Sequence, residues 1–502
     1  LGVAEVDCCS PAFAGKGHGG LFQQTTSVGA DDTALRAVVA DHGMPATRLS
    51  WDDWLFRPVD NSRLAAFRIV FGVLLAIDLM EAWDWRVEML SQRVIHFPYD
   101  GFSWIQLLPP WGAVLLQAVL VLACVFIAAG YWFRAASIVF FLGYTYSFLI
   151  DRAYFNNHFY LIVLFGGWLA VSNAHHRWSV DAAKGSVPKE NLVPRWQIVG
   201  PAIQMAIPYF FGGIAKINAD WLRGEPASNQ IRALAEHGFY SSVVTQPWAG
   251  LAFAWAGLVF DLSIVPFLLW RKTRVLAITA LLFFHLTNSI MFSIGIFPWL
   301  GIATTLLFLP DSWVSGLVRR LPLQRTTAAR TVICTPVSAM RMRWIKCGFA
   351  VWLVVQCTLP LRHFLIPSNV GWAREGFYFA WTMKLNIKDY FLGFHICNPA
   401  SGSCLAIDHD EDLTLYQQIW VPREPKGIVE YAKLLKQRAQ AEGIANPVIV
   451  CDALCSLNGR PYQYLIDPAK DPSELCTSWF GHSPWIVPLD QAAPIGRYKH
   501  GP

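Results

Sequence analysis

The chain has 502 residues and a net charge of +5; 54% of its side chains are hydrophobic, 14% aromatic and only 15% charged, with 23 tryptophans and 33 phenylalanines. Charge so far below the level of about 25% found in soluble domains, with long apolar stretches recurring, places the chain among integral membrane proteins. No dense basic cluster with interleaved aromatics is present, so a nucleic-acid surface is excluded and basic loops on one side of a membrane account for the charge.

Residues 1 to about 50 carry Gly, Ala, Ser and Asp without sustained periodicity. Beginning at Leu1, this stretch reads as a flexible tail, a fragment start or a processed end, and not as a signal peptide, because no charged start precedes an apolar core. Trp51-Asp52-Asp53-Trp54 and the residues up to Asp60 read as a short interfacial segment, with a tryptophan pair suited to the headgroup layer.

The first span is expected over Leu64 to Trp83, with Arg68 and Asp78 embedded in it. Either charge costs about 2.5–3.5 kcal/mol at the bilayer centre, so both should face protein or water. Further spans are expected near 111–130, 134–151, 157–173, 198–217 and 249–270. The stretch 275–310 is too long for one crossing of about 20 residues and reads as two, broken at Gly295 and Pro298. The last span lies near 345–361, which makes about nine.

The basic residues fit that number. Arg177, Lys184, Lys189 and Arg195 lie in one loop, Arg271, Lys272 and Arg274 in a second, and Arg319, Arg320, Arg325, Arg330, Arg341 and Arg343 in a third. With nine spans all three fall on one side, so the positive-inside rule predicts a cytoplasmic N-terminus and an extracytoplasmic C-terminal domain in the periplasm, extracellular space or organelle lumen. The expected architecture is therefore a polytopic α-helical membrane protein: tail 1–50, transmembrane helical domain 51–361 and β-rich extracytoplasmic domain 362–502.

Beyond Leu361, strands are predicted over Phe377 to Ile387, Tyr390 to Cys397 and Cys404 to Ile407. A helix is predicted over Ile428 to Ala441, between Pro425 and Gly443. Val448 to Leu457, Asn458-Gly459-Arg460 and Tyr462 to Ile466 form the best hairpin signal, since Asn-Gly suits the left-handed turn that matches strand twist.

The eleven cysteines form no CxxC pair and no Cys/His cluster with zinc spacing, so no metal site is predicted. Cys8 and Cys9 fall in the tail and Cys124 in mid-span, while five fall in the C-terminal third, which suits an oxidising compartment there. Cys451 and Cys455 cannot pair along one strand, being about 13 Å apart in extended chain. Cys397 and Cys404 flank a turn and can either pair or remain free thiols.

Three polar sites interrupt the apolar pattern. Tyr209-Phe210-Phe211-Gly212-Gly213-Ile214-Ala215-Lys216 ends a small-residue helix on a lysine, which either snorkels to water or is kept for chemistry. His158 follows Asn157 at the start of the fourth span, and His285 lies midway along the seventh. Each histidine can be read as an interhelical hydrogen-bonding group. The topology nevertheless brings Asn157, His158 and Lys216 to one end of the bundle. Ionisable and amide groups gathered from different helices in a low dielectric are the ingredients of a proton-transfer site. Asp220 and Asp181, placed after spans, read as solvated, and the Gly212-Gly213 pair reads as close helix packing.

Several ordered stretches resemble one family. They are Phe155-Asn156-Asn157-His158-Phe159-Tyr160-Leu161, Trp178-Ser179-Val180-Asp181, Ala215-Lys216-Ile217-Asn218-Ala219-Asp220-Trp221 and His285-Leu286-Thr287-Asn288-Ser289. Phe292-Ser293-Ile294-Gly295-Ile296-Phe297-Pro298, the run from Leu361 to Val370, Ser456-Leu457-Asn458-Gly459-Arg460 and Ile466-Asp467-Pro468 continue the match. They are similar to the vitamin K-dependent γ-glutamyl carboxylases and their bacterial relatives, within the horizontally transferred transmembrane domain group.

The resemblance implies that Lys216 is the base that deprotonates a vitamin K hydroquinone, menaquinol or phylloquinol. Oxygen then adds, and the strongly basic alkoxide that forms with epoxidation removes a γ-proton from a glutamate of a protein or peptide, which carbon dioxide traps. It further implies that His158 with Asn157 holds the quinol oxygen or its oxyanion. His285, Asn288 and Phe292 would complete the cofactor site.

The sequence departs from the animal members, which carry a longer luminal domain, in ending soon after the Ile466-Asp467-Pro468 match, in having no cysteine between the first two expected spans, over residues 84–110, and in carrying Asn218 where an acid is common. A quinol epoxidase without carboxylation is therefore kept as an alternative. So is a transporter or immunity-type protein on the same scaffold, although no inverted repeat is evident.

Overall fold

In a computed structural model, the described residues are 50–91, 95–235, 241–292, 294–319, 338–478, 481–493 and 495. The expected tail, with Cys8 and Cys9, and the basic residues Arg320, Arg325 and Arg330 lie outside them. Apolar runs of 15 to 23 residues, whose backbone polar groups must be satisfied within the segment, form the helices of a bundle. These are α1 (Ser62–Glu81), α2 (Pro110–Ala129), α3 (Phe133–Leu149), α4 (Asn157–Val171), α5 (Trp196–Ala215), α6 (Ala249–Leu269), α7 (Arg274–Met291) and, after the short α8 (Phe297–Thr304), α9 (Ala339–Leu361).

Among the described residues, five helices are long and apolar enough to cross a membrane: α2, α5, α6, α7 and α9. The number becomes six if the bent pair Phe297–Phe308 and Asp311–Leu317 counts as one span. Helices α3 and α4 are apolar but shorter, and α1 carries Arg63, Arg68, Asp78 and Glu81 along its length.

The expected break after α7 is present: Gly295 adopts φ 54° and Pro298 sits in the first turn of α8. Beyond it the chain makes only the half-length α8 with a 3-10 turn, Thr305–Phe308, and then bends by 115°.

Up-and-down packing of α1 to α5 is fixed at both ends. At one end the strands β1 (Pro58–Asp60) and β2 (Leu192–Pro194) pair antiparallel just before α1 and α5. There also Arg68, fully buried, donates to the carbonyls of Ile127, Ala128 and Trp178. As expected for a charge within a span, it faces protein and satisfies backbone carbonyls. Asp181, expected to be solvated, instead accepts from the Trp132 and Phe133 amides and caps α3.

At the other end, Arg152 donates its backbone amide to Phe97. Between the ends, Phe67, Phe71, Phe140 and Phe165 interlock across α1, α3 and α4. Helix α9 is tied in by a polar chain: Gln356 donates to the Tyr160 hydroxyl at 2.6 Å and bonds Gln204, which accepts from Trp352.

The C-terminal region holds a four-stranded antiparallel sheet in the order β4-β3-β5-β6, from β3 (Lys388–Asn398), β4 (Ser403–Ile407), β5 (Val448–Leu457) and β6 (Gln463–Tyr464). Helix α10 (Pro425–Ala441) lays Ile428, Ala432, Leu435 and Ala439 on the face carrying Phe394, Ile449, Cys451 and Ala453. The hairpin turns at Asn458 and Gly459, with φ 56° and 82°, the mirror-image turn its dipeptide predicts. Cys397 and Cys404 face each other across β3 and β4 and form a disulfide, whereas Cys451 and Cys455 are buried free thiols.

One predicted strand is absent: Phe377 to Ile387 forms none. Its aromatic residues lead the chain through turns in which Phe379, Trp381 and Lys384, like Arg374 just before them, adopt positive φ.

Candidate functional site

Helix α5 ends at Ala215, and the next residue, Lys216, does not snorkel. Its side chain folds back one turn, as side chains lean towards the N-terminus of a helix. The ammonium donates to the Gly212 carbonyl at 3.3 Å and to Asp261 Oδ2 at 2.6 Å. Both partners are buried, and the Trp221 ring lies 5.4 Å from the lysine nitrogen.

Asp261 comes from the middle of α6. The glycine pair lets the two helices meet: a Cβ on Gly213 would stand 2.6 Å from the Leu262 side chain, and one on Gly212 3.3 Å from the Asp261 carboxylate. This is the close packing that small residues allow between membrane helices. Sequence reasoning misses Asp261. Its signal is a lone carboxylate in an apolar span, which cannot remain without a counter-ion.

The pair forms part of the wall of a cavity of about 1230 Å³. Asn157, the first residue of α4, is buried there and donates to the Thr382 carbonyl at 3.2 Å, while its Oδ1 and the Thr382 hydroxyl have no hydrogen-bond partner among the described residues. His158 lines the same cavity, its ring near Phe159 and Phe297. Asn288 and Phe292 also line it.

His285 does not. It is fully buried behind the wall, bonded to the Tyr209 hydroxyl at 2.7 Å, with its ring against Gly301, where a Cβ would approach to 2.3 Å. Its contact with the cavity runs through Tyr209, which does line it. Phe292 and Ile294, which follow α7, also contribute to the wall.

The cavity is lined in two unlike parts. Phe283, Leu286 and Ile290 of α7, with Trp248 at the start of α6, line it and are at the same time exposed, on two helices long and apolar enough to cross a membrane, so it opens through apolar side chains. Another part of its lining is a roof from the C-terminal region, made by Arg374, Phe377, Thr382, Met383, Lys384 and Arg423. Burial and the Arg423 charge push the Lys384 ammonium below its usual value. The roof thus adds Lys384 and Arg423, together with Arg374, which is paired with Glu424 at 3.5 Å, and the cavity wall has Asp261 as its one described acid, already paired with Lys216.

Among the described residues, four of the eight non-glycine positions with positive φ, Arg374, Phe379, Trp381 and Lys384, fall in or beside this roof. Strained backbone of this kind concentrates at functional sites.

Asp220, also expected to be solvated, links the lysine segment to the C-terminal sheet. It accepts from Arg460 Nη1 and Nη2 at 2.7 and 2.8 Å and from Asn458 Nδ2 at 2.8 Å. Burial works to raise its pKa, but the hydrogen bonds from Arg460 and Asn458 outweigh it and hold the carboxyl below its usual range. Two stretches that stand apart in the sequence, Lys216 to Trp221 and Ser456 to Arg460, therefore form one joint. Among the described residues no group of three or more His, Cys, Asp or Glu is placed to hold a metal.

A family model for the HTTM domain matches residues 56–313, more than half of the chain, and one for the vitamin K-dependent gamma-carboxylase lumenal domain matches residues 341–492. No solved structure matches the chain.

Proposed function

The chain belongs to the vitamin K-dependent γ-glutamyl carboxylase family, and from that premise we propose that it carboxylates glutamate in a protein or peptide, driven by epoxidation of a vitamin K hydroquinone, with Lys216 as the base. The observation that carries the reading is the buried Lys216–Asp261 pair in the wall of a cavity whose mouth is apolar and whose roof is cationic.

The residues present fit the quinol. The cavity exceeds the roughly 300–1,000 Å³ usual for small-ligand pockets and suits a ring with part of a hydrocarbon tail. Its mouth is made of side chains compatible with lipid, and Asn157 Oδ1 and the Thr382 hydroxyl are polar atoms without partners among the described residues, as a ring hydroxyl would require. When bound with oxygen, the hydroquinone supplies the strong base that the reaction needs, and carbon dioxide supplies the added carboxylate.

The protein's part is to position groups and move protons. The Lys216 ammonium donates to Asp261 Oδ2 at 2.6 Å. In a low dielectric, passing that proton to the carboxylate leaves a neutral amine able to accept another, so the pair acts as one base. Asn157 and His158 would hold the quinol oxygen or its oxyanion, with Asn288 and Phe292 completing the pocket. His285 keeps Tyr209 in place from behind. Lys384 and Arg423 give the roof a charge complementary to a glutamate carboxylate arriving from the C-terminal side. With the C-terminal region lumenal or extracytoplasmic, the N-terminus would be cytoplasmic.

The test supplies reconstituted protein with vitamin K hydroquinone, oxygen and labelled bicarbonate, with and without a glutamate peptide, for wild type and Lys216→Ala. Epoxide and labelled peptide from wild type alone are expected. Failure of the wild type under conditions in which a known carboxylase works overturns the reading. Epoxide without labelled peptide reduces it to an epoxidase.

A further inference from the structure

The six-residue helix Leu415–Trp420 is inside out. Gln417 is fully buried at 0% exposure, and its amide donates to the Ile95 carbonyl at 3.1 Å and to Asp151 Oδ2 at 2.9 Å. Trp420 is buried beside it, donating to the Tyr378 hydroxyl. The face turned outward is apolar, with Leu415 76%, Ile419 48% and Tyr416 45% exposed. In a helix bordered by water the pattern runs the other way.

The level of this helix is set by the ends of the spans. Asp151 follows α3, and the Tyr416 ring lies 5.4 Å from Trp85 and 5.0 Å from Tyr154, just beyond α1 and just before α4. The Tyr154 hydroxyl is 3.0 Å from Thr414 Oγ1, and Thr414 caps the helix in a reciprocal box with Gln417. Trp111, at the first turn of α2, is likewise exposed at this end of the bundle. Aromatic rings gathered at span ends are the signature of the headgroup layer. Immediately upstream, Asp410 and Glu411 are exposed, so the boundary between wet and apolar surface falls between Asp412 and Leu415.

We propose that helix Leu415–Trp420 is seated in the interfacial layer of the bilayer, with Leu415 and Ile419 directed to the acyl boundary and Tyr416 at headgroup level. The C-terminal region would then rest on lipid as well as on the bundle. Three side chains fall far short of the roughly 800 Å² per partner that a stable protein interface buries, and the face continues an aromatic belt rather than standing alone, so lipid is favoured over a second chain.

The test places the photoreactive residue p-benzoylphenylalanine at Leu415 or Ile419 in full-length protein reconstituted in phosphatidylcholine vesicles. Leu115, exposed on α2, serves as the lipid-facing reference, and Leu405, exposed on the edge strand β4, as the water-facing one. All four side chains are exposed, so the substitutions leave the core intact, and a monodisperse elution profile checks this. Lipid adducts at 415 and 419 should match those at Leu115 and exceed those at Leu405 by about tenfold. Adducts to a second copy, yields no higher than at Leu405, or no lipid adduct while Leu115 gives one would each overturn the proposal.

Discussion

Replacing Arg460 with alanine tests whether the C-terminal sheet holds the lysine segment in place. The guanidinium and Asp220 form a two-pronged pair with side chains 4% and 14% exposed. Removing one partner of a fully buried pair costs about 3–5 kcal/mol; Asp220 would keep its bond from Asn458 and slight contact with water, which lowers the expected cost to about 2–3 kcal/mol.

The functional effect should be larger than the effect on stability suggests. Asp220 lies four residues beyond Lys216, in the short helix Ala219–Leu222 that Asn218 caps. A misplacement of about 1 Å at a reacting group can cost on the order of 10²-fold in turnover. The assay pairs thermal unfolding in nanodiscs with single-turnover quinol consumption for Arg460→Ala, Asp220→Ala and the double variant. The pair also carries a pH signature. The Asp220 pKa is lower in the folded state, so its stabilisation is present above the unfolded value of about 3.9 and is lost as pH falls through the folded one. Arg460→Ala should weaken that acid sensitivity, leaving only the part held by Asn458. Additive single-variant effects, or wild-type turnover in Arg460→Ala, would refute the coupling.

Asp261→Ala should destabilise the protein by about 3–5 kcal/mol through the stranded lysine, and Lys216→Met combined with Asp261→Leu should recover most of that in thermal unfolding while remaining inactive. Gly301→Ala should push the His285 ring off Tyr209 and cost about 1–3 kcal/mol, with loss of turnover larger than that from Tyr209→Phe. Lys388, buried in β3 and donating to the Trp372 and Arg423 carbonyls, has its pKa lowered to about 8 by burial. The unfolded chain then binds more protons between about pH 8 and 10.4, so stability should rise with pH across that window by about 3 kcal/mol. Lys388→Met should flatten the rise in a pH series of unfolding midpoints.

Features decided by local chemistry were legible in the sequence. The break at Gly295 and Pro298, the Asn458-Gly459 turn and the inward-facing Arg68 each stem from a backbone or burial requirement that a few residues express by themselves. Asp261 was hidden because its partner lies 45 residues away, and a single carboxylate does not break an apolar pattern. Phe377 to Ile387 misled for a different reason. Its closely spaced aromatics resemble a strand, yet its residues are chosen to cover a cavity, and the turns this needs force left-handed backbone at residues that locally disfavour it. The pairing of Asp220 with Arg460 was equally out of reach, since it joins two motifs 240 residues apart.

The roof has a consequence for how the protein comes into being. Synthesis runs from the N-terminus, so Lys216 and Asp261 are made, and their helices can meet, long before residues 374–386 and Arg423 leave the ribosome. Until then the pair sits in a vestibule open on the side that the C-terminal region later covers. Left-handed backbone at four non-glycine positions costs roughly 1–2 kcal/mol each, so the covering segment holds its course only once the sheet and helix α10 are packed behind it. On the proposed function, competence would arrive as the last event of folding, and a ribosome-stalled or proteolytically clipped chain should be chemically silent even with its apolar helices assembled.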